Sequence, residues 1–203
     1  MSESIYGDEI LDEVIDACIK HLRDHPNDHE KLFYMGNAFF IKNQYDKASF
    51  CYIKAVNKSP KNAVYYAHLG HAYRELGDKD QAVASYESVL RLNPRFADAH
   101  FNIGLIFFDN KNYEKALASF VNAISINNKY AAPRYYIGRI YEEQGFTAKA
   151  MKEYRQIIED LMGDKLEKSS VTIDLGAIFS DLGLLDQAEN EYRKMIKIHP
   201  EYA

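Results

Sequence analysis

Tryptophan is absent from the 203 residues, cysteine occurs only twice and proline only five times. No apolar stretch approaches the roughly 20 residues needed to span a bilayer, so membrane insertion is not expected. Two cysteines, Cys18 and Cys51, cannot build a disulfide framework. Each falls in an apolar helical pattern and reads as a buried, reduced thiol acting as a small hydrophobe. An excess of positive charge is also missing: 25 Lys and Arg stand against 30 Asp and Glu, a net charge of -5. That balance argues against nucleic acid as a partner, because phosphate contacts need clustered cations. The opening residues, Met1 to Asp12, are acidic and lack the basic region and apolar run of a secretory leader. The chain is expected to be soluble and cytoplasmic.

Catalytic signatures are missing as well. There is no glycine-rich phosphate loop, no CxxC pair, no HExxH and no Gly-x-Ser-x-Gly elbow, so neither an enzyme nor a cofactor is expected. His21, His25 and His29 are four apart but interrupted by Pro26, which keeps them off one helical face. His68 and His71, with His100 on a neighbouring helix, have the makings of a three-nitrogen metal site; the simpler expectation is that they are polar residues of a groove, with no metal. The carboxylates Asp80, Glu114, Glu153 and Glu189 fall at positions expected to face water.

What the chain has in abundance is aromatic side chains, 16 Tyr and 11 Phe, within a composition 47% hydrophobic and 27% charged that excludes a disordered chain. They recur at a fixed interval. Gly36, Gly70, Gly104, Gly138 and Gly176 are spaced by 34, 34, 34 and 38 residues. Each has an aliphatic or Met residue before it (Met35, Leu69, Ile103, Ile137, Leu175) and an aromatic three later (Phe39, Tyr73, Phe107, Tyr141, Phe179). Twelve residues after each glycine stands an alanine (Ala48, Ala82, Ala116, Ala150, Ala188), and four beyond that a second aromatic (Tyr52, Tyr86, Phe120, Tyr154, Tyr192). Fixed periods of this length signal a repeat array, in which stacked units share a continuous core.

The frame of Gly, aromatic, Ala and aromatic resembles the tetratricopeptide repeat (TPR) family over roughly residues 29 to 202. The family's opening Trp is replaced by Leu32, Tyr66, His100, Arg134 and Thr172, and its closing Pro survives as Pro60, Pro94 and Pro200. The resemblance implies an all-α fold: a right-handed α-α superhelix, or solenoid, of five helical hairpins preceded by a half-repeat helix. The expected units are 1–28 (half-repeat and cap), 29–62, 63–96, 97–130, 131–168 with a four-residue insertion, and 169–203. Helix A of the first unit is expected near 29–42 and helix B near 45–58, with Asn43-Gln44 as the turn. Gly77, Gly145 and Gly183 supply the left-handed turn in their units; the third has Asn110-Lys111-Asn112 there, with asparagine as the next most tolerant residue. Helix B of the fourth unit should run from Thr147 to about Leu161 and stop at Gly163. The first helical pattern spans 8–24. The last unit closes at Pro200-Glu201-Tyr202-Ala203 and leaves Tyr192, Met195, Ile196 and Ile198 uncovered on one side, which leaves three options: a longer protein, a partner, or self-association through that face.

In the TPR family the A helices line a concave surface where peptides or partner helices dock. The inward positions predict Phe33, Asn37 and Phe40 in the first unit, His71 and Arg74 in the second, Phe101, Leu105 and Phe108 with Asn102 in the third, and Tyr135 and Arg139 in the fourth. Aromatics on such a face suit an amphipathic helix or an extended apolar peptide, unless neighbouring A helices pack against them. One TPR subfamily grips acidic chaperone tails with a clamp of Lys, Asn and Arg, of which only Asn37 is matched here. The expected function is a non-enzymatic protein-interaction scaffold; the alternatives are the recruiting arm of a larger enzyme, such as a TPR-bearing glycosyltransferase, and a self-associating assembly protein.

Overall fold

The computed structural model describes residues 2–162, with side chains from Glu9 to Ile157, and the single residue Lys197. Among the described residues there are nine helices and no strand: α1 Ser2–Asp24, α2 His29–Ile41, α3 Tyr45–Lys58, α4 Ala63–Glu75, α5 Lys79–Leu92, α6 Ala97–Asp109, α7 Tyr113–Ile126, α8 Ala131–Glu143 and α9 Thr147–Met162. The fold is all-α, a run of helical hairpins. The expected fifth hairpin and the stop at Gly163 lie outside the described residues. The chain divides within α6 into two compact units, Met1–Ile106 and Phe107–Ala203.

Helix ends follow from local chemistry. Asp28 accepts from the backbone N–H groups of Glu30 and Lys31, both at 3.1 Å, and so caps α2. The Lys31 N–H, with a lesser contribution from His21, holds the Asp28 carboxyl below its ordinary range. Asn62, Asp78 and Asn112 cap α4, α5 and α7 in the same manner. α1 begins six residues earlier than the apolar pattern alone predicts. The turn column is left-handed at Asn43, Gly77, Lys111 and Gly145, with φ of 56°, 78°, 57° and 77°. The third unit therefore corrects the expectation that an asparagine takes this conformation: Lys111 occupies it, because Asn112 is engaged one position later, accepting from the Lys115 N–H as the cap of α7.

In the first unit α2 packs with α3, α4 with α5, α3 with α4, and α1 with α2. Leu32, Tyr52, Val56, Tyr65 and Leu69 form its core with Ala48, Ala55 and Ala72. α1 buries Ile15 and Cys18. Both cysteines are free and buried, and burial pushes the Cys51 thiol up to about 11. In the second unit α8 packs with α7 and α9; Phe120 stacks on Tyr136 at 5.6 Å between centroids, and Tyr154 lies 6.1 Å from Tyr135.

The glycine column has a more specific role than letting two helices cross. A Cβ at Gly36 would stand 2.6 Å from the Tyr52 ring, and one at Gly70 would stand 2.7 Å from the Tyr86 ring. Gly138 and Tyr154 are related in the same way. The aromatic of helix B takes the space that a side chain on helix A would need, so the two columns are one packing device.

Candidate functional site

In the first unit, the faces of α2 and α4 bound a concavity of about 660 Å³. From α2 it takes Asn37, Phe40 and Ile41; from α4, His68, His71, Arg74 and Glu75. Tyr45 and Tyr52 of α3 complete it. Phe40 and Tyr45 meet edge to face at 5.2 Å and form its apolar corner, and Ile41 is 64% exposed beside them. Four of the sequence-predicted residues, Asn37, Phe40, His71 and Arg74, are brought together there. Phe33 is not: it stacks on Tyr65 at 4.7 Å and meets His68 edge-on at 4.8 Å, filling the space between two A helices.

The polar residues of this concavity are already engaged by the protein. The Tyr52 hydroxyl donates to Asn37 Oδ1 at 2.8 Å, and the Tyr86 hydroxyl lies 2.8 Å from His71 Nδ1. Arg74 donates through Nη1 to Asn102 Oδ1 at 2.6 Å and through Nη2 to Glu75 at 3.2 Å. Asn102, predicted to face the groove, is buried instead and donates to the Asp98 carbonyl at 2.7 Å, which fixes the amide that holds Arg74.

Burial lowers the basicity of both imidazoles here, and for His71 the nearby Arg74 charge adds to it; the His71 ring is pushed down to about 4 from an ordinary 6.5. His68 also disfavours its charge, while Asp98 and Glu75 favour it. The unfolded chain then holds a proton at this residue that the folded chain does not. The stability His71 contributes is complete above about pH 6.5 and is lost as the pH falls towards 4. Urea unfolding at pH 7 and pH 5 should show a smaller acid loss for His71→Asn, which restores the Asn–Tyr pairing of the first hairpin. Equal losses would place the acid sensitivity elsewhere.

In the second unit, Phe108, Tyr135 and Arg139 come together. The Arg139 guanidinium lies 6.0 Å from the Phe108 and Tyr135 ring centroids and reaches the Tyr135 hydroxyl at 3.4 Å. Phe108 meets Tyr136 edge-on at 5.2 Å. The Tyr154 hydroxyl donates to Glu142 at 2.7 Å, and Tyr113 donates to Glu143. Phe101 and Leu105 are half-buried on α6.

The sequence reading missed Tyr45 and the hydroxyls of Tyr52 and Tyr86. A signal for the latter exists: where the helix B aromatic is Tyr52 or Tyr86, the residue after the column glycine is polar (Asn37, His71), and where it is Phe120 that residue is Leu105. No group of three or more His, Cys, Asp or Glu suited to a metal is found among the described residues. None of the described helices is long and apolar enough to cross a membrane.

Family models described as tetratricopeptide repeat match residues 68–132 and 134–160, and one described as TPR repeat matches 36–77. Together they account for well over half of the chain. Among solved structures, that of MamA protein is similar with a TM-score of 0.71 at 26% identity, over 82% of this chain and 98% of that one. MamA from Desulfovibrio magneticus RS-1 gives 0.65 at 16% identity, over 79% and 98%. YrrB, described as a TPR protein with an unusual peptide-binding site, gives 0.62 at 19% identity, over 92% and 94%; the last two likenesses speak to fold alone. No curated protein matches the sequence.

Proposed function

The chain belongs to the tetratricopeptide repeat family, and on that premise we propose that it is a protein-interaction scaffold whose α2–α4 concavity receives a segment of another protein. The observation that carries this reading is the concavity itself: about 660 Å³, with the apolar corner of Phe40, Ile41 and Tyr45 set beside the polar Asn37, His71 and Arg74. Ligand sites commonly combine apolar walls with a few placed polar groups, and the peptide-binding site named for YrrB, a structure of like fold, agrees in kind. We take the occupant to be an extended peptide, whose backbone N–H and C=O groups can pair with the Asn37, His71 and Arg74 side chains beside the apolar corner. Phe108, Tyr135 and Arg139 offer a separate surface in the second unit, where an arginine on aromatic faces is the usual composition of a contact hot spot. Phe33, Phe101 and Leu105 act chiefly through packing in this reading. The chain itself is taken to bind without catalysis.

Selection of a random dodecapeptide library on the immobilised full chain tests this. Retained peptides should lose at least about tenfold in affinity, or about 1.4 kcal/mol, to Ile41→Glu, a change at an exposed position that leaves helical content unaltered. Peptides indifferent to Ile41→Glu would refute docking at this concavity.

A further inference from the structure

A second opening, of about 380 Å³, lies at the start of the first unit between α1 and α2. We propose that it is the seat of one further helix, donated by another protein: an amphipathic helix with an acidic residue in its first turn, packed there as α2 packs on its own hairpin.

The 34-residue period locates the seat. α1 packs with α2 as α3 packs with α4, and Pro26 stands 34 residues before Pro60. α2 touches both α3 and α4. Its Phe40 meets Tyr45, its Gly36 faces Cys51 and Tyr52, and its Phe33 meets Tyr65 and His68. Moving those contacted positions back by 34 gives Leu11, Ala17, Cys18, Lys31 and Tyr34. All of them line the opening between α1 and α2. The seat of α2 is thus built a second time, one period earlier, and none of α1 to α9 fills it. Exposure agrees with this. Ala48, Ala82, Ala116 and Ala150 are 0% exposed beneath the A helices of their hairpins, whereas their counterpart on α1, Val14, is a larger apolar residue left 38% exposed.

The seat also states what should fill it. Ala17 and Cys18 are smaller than Cys51 and Tyr52, so the occupant has room for a Leu or Met where α2 needs Gly36. The counterparts of Phe33 and Phe40 meet Tyr34 and Leu11, which calls for apolar side chains. His29 of α2 lies 2.9 Å from the Tyr65 hydroxyl, and its counterpart would face Lys31. Of the described residues lining the opening, Lys31 alone is charged, so its complement is a carboxylate, which a helix N-terminus also favours. An acid followed by apolar residues four, seven and eleven positions later forms one face of a helix. A second copy of this chain is a poor occupant. A two-fold dimer sets like surface against like, and two open seats would then meet with no helix to fill either. The site is separate from the α2–α4 concavity, which no residue of α1 borders; Asn37 and Ile41 edge both.

The probe is a peptide of the length of α2, 13 residues, with Glu at its first position and Leu at the fifth, eighth and twelfth. It is stapled on its polar face, because short isolated helices are marginal in water. Fluorescence anisotropy with the full chain should show saturable binding that Val14→Glu weakens about tenfold by setting a charge in the apolar seat. Lys31→Glu should weaken the Glu probe about threefold and favour a probe with Lys at the first position. That exchange compares two peptides on one folded protein, so a loss of folding cannot imitate it. A Glu probe that does not bind the wild type, an affinity indifferent to Val14→Glu, or a Lys31→Glu variant without preference for the Lys probe would each overturn the proposal. So would a wild-type dimer in sedimentation that Val14→Glu abolishes, since a second copy would then be the occupant.

Discussion

Tyr86→Ala is expected to destabilise the protein by about 3–5 kcal/mol, the usual cost of truncating a buried aromatic. The ring is 1% exposed and belongs to the column that recurs as Tyr52, Phe120 and Tyr154, all fully buried. Its removal opens a cavity against Gly70, which has no side chain to move into the space, and leaves His71 Nδ1 without its hydroxyl. Both effects have the same sign. Typical domains are stable by about 5–15 kcal/mol, so the variant should melt far below the wild type in far-UV circular dichroism. Tyr86→Phe separates the contributions: it keeps the ring and should cost only about 1 kcal/mol for the lost hydrogen bond. A Tyr86→Ala loss below 1 kcal/mol would mean that the aromatic column is not the core.

Gly70→Ala is expected to destabilise by about 2 kcal/mol, against the sign that helix propensity gives. Alanine is better than glycine inside a helix by about 1 kcal/mol, and on a free helix surface the substitution would help. Here the new Cβ would stand 2.7 Å from Cε1 and 2.8 Å from Cζ of Tyr86, a ring held on every side and unable to retreat. The double variant with Tyr86→Ala gives the decisive comparison. Once the ring is gone the alanine enters an empty space, so the paired loss should be smaller than the sum of the two single losses. Strict additivity would show that the glycine answers to some other neighbour.

The helices were legible because turn chemistry and periodicity act over a few residues. α3 spans Tyr45–Lys58 as the reading placed it, and α9 ends at Met162, one residue from the expected end. The 34-residue period carries the turn column from Gly77 to Lys111, but residue preference pointed to the flanking asparagines, of which Asn112 caps α7 instead. Periodicity assigned Asn37, Phe40, His71 and Arg74 to one face, and they do border one concavity. At Phe33, on that same face, the alternative reading holds: a neighbouring A helix packs against it through Tyr65. A helical period does not describe how far a side chain reaches. Tyr52 and Tyr86 count as core by position, yet the end of each ring touches a residue of the concavity across the hairpin. Such a contact is set by side-chain length and becomes apparent in sequence only when columns are compared between repeats.

Cys18 and Cys51 both lie in the first compact unit, and the second has no thiol. Circular dichroism sums over every helix and cannot tell which unit loosens first. Alkylation of the thiols can, because a buried sulfhydryl whose thiolate is disfavoured by burial reacts only when its surroundings open. The rate of labelling then measures the opening equilibrium of the first unit alone. The unit holding the α2–α4 concavity thus carries its own probe of local unfolding, and a bound segment would reveal itself as slower alkylation without any label on the partner.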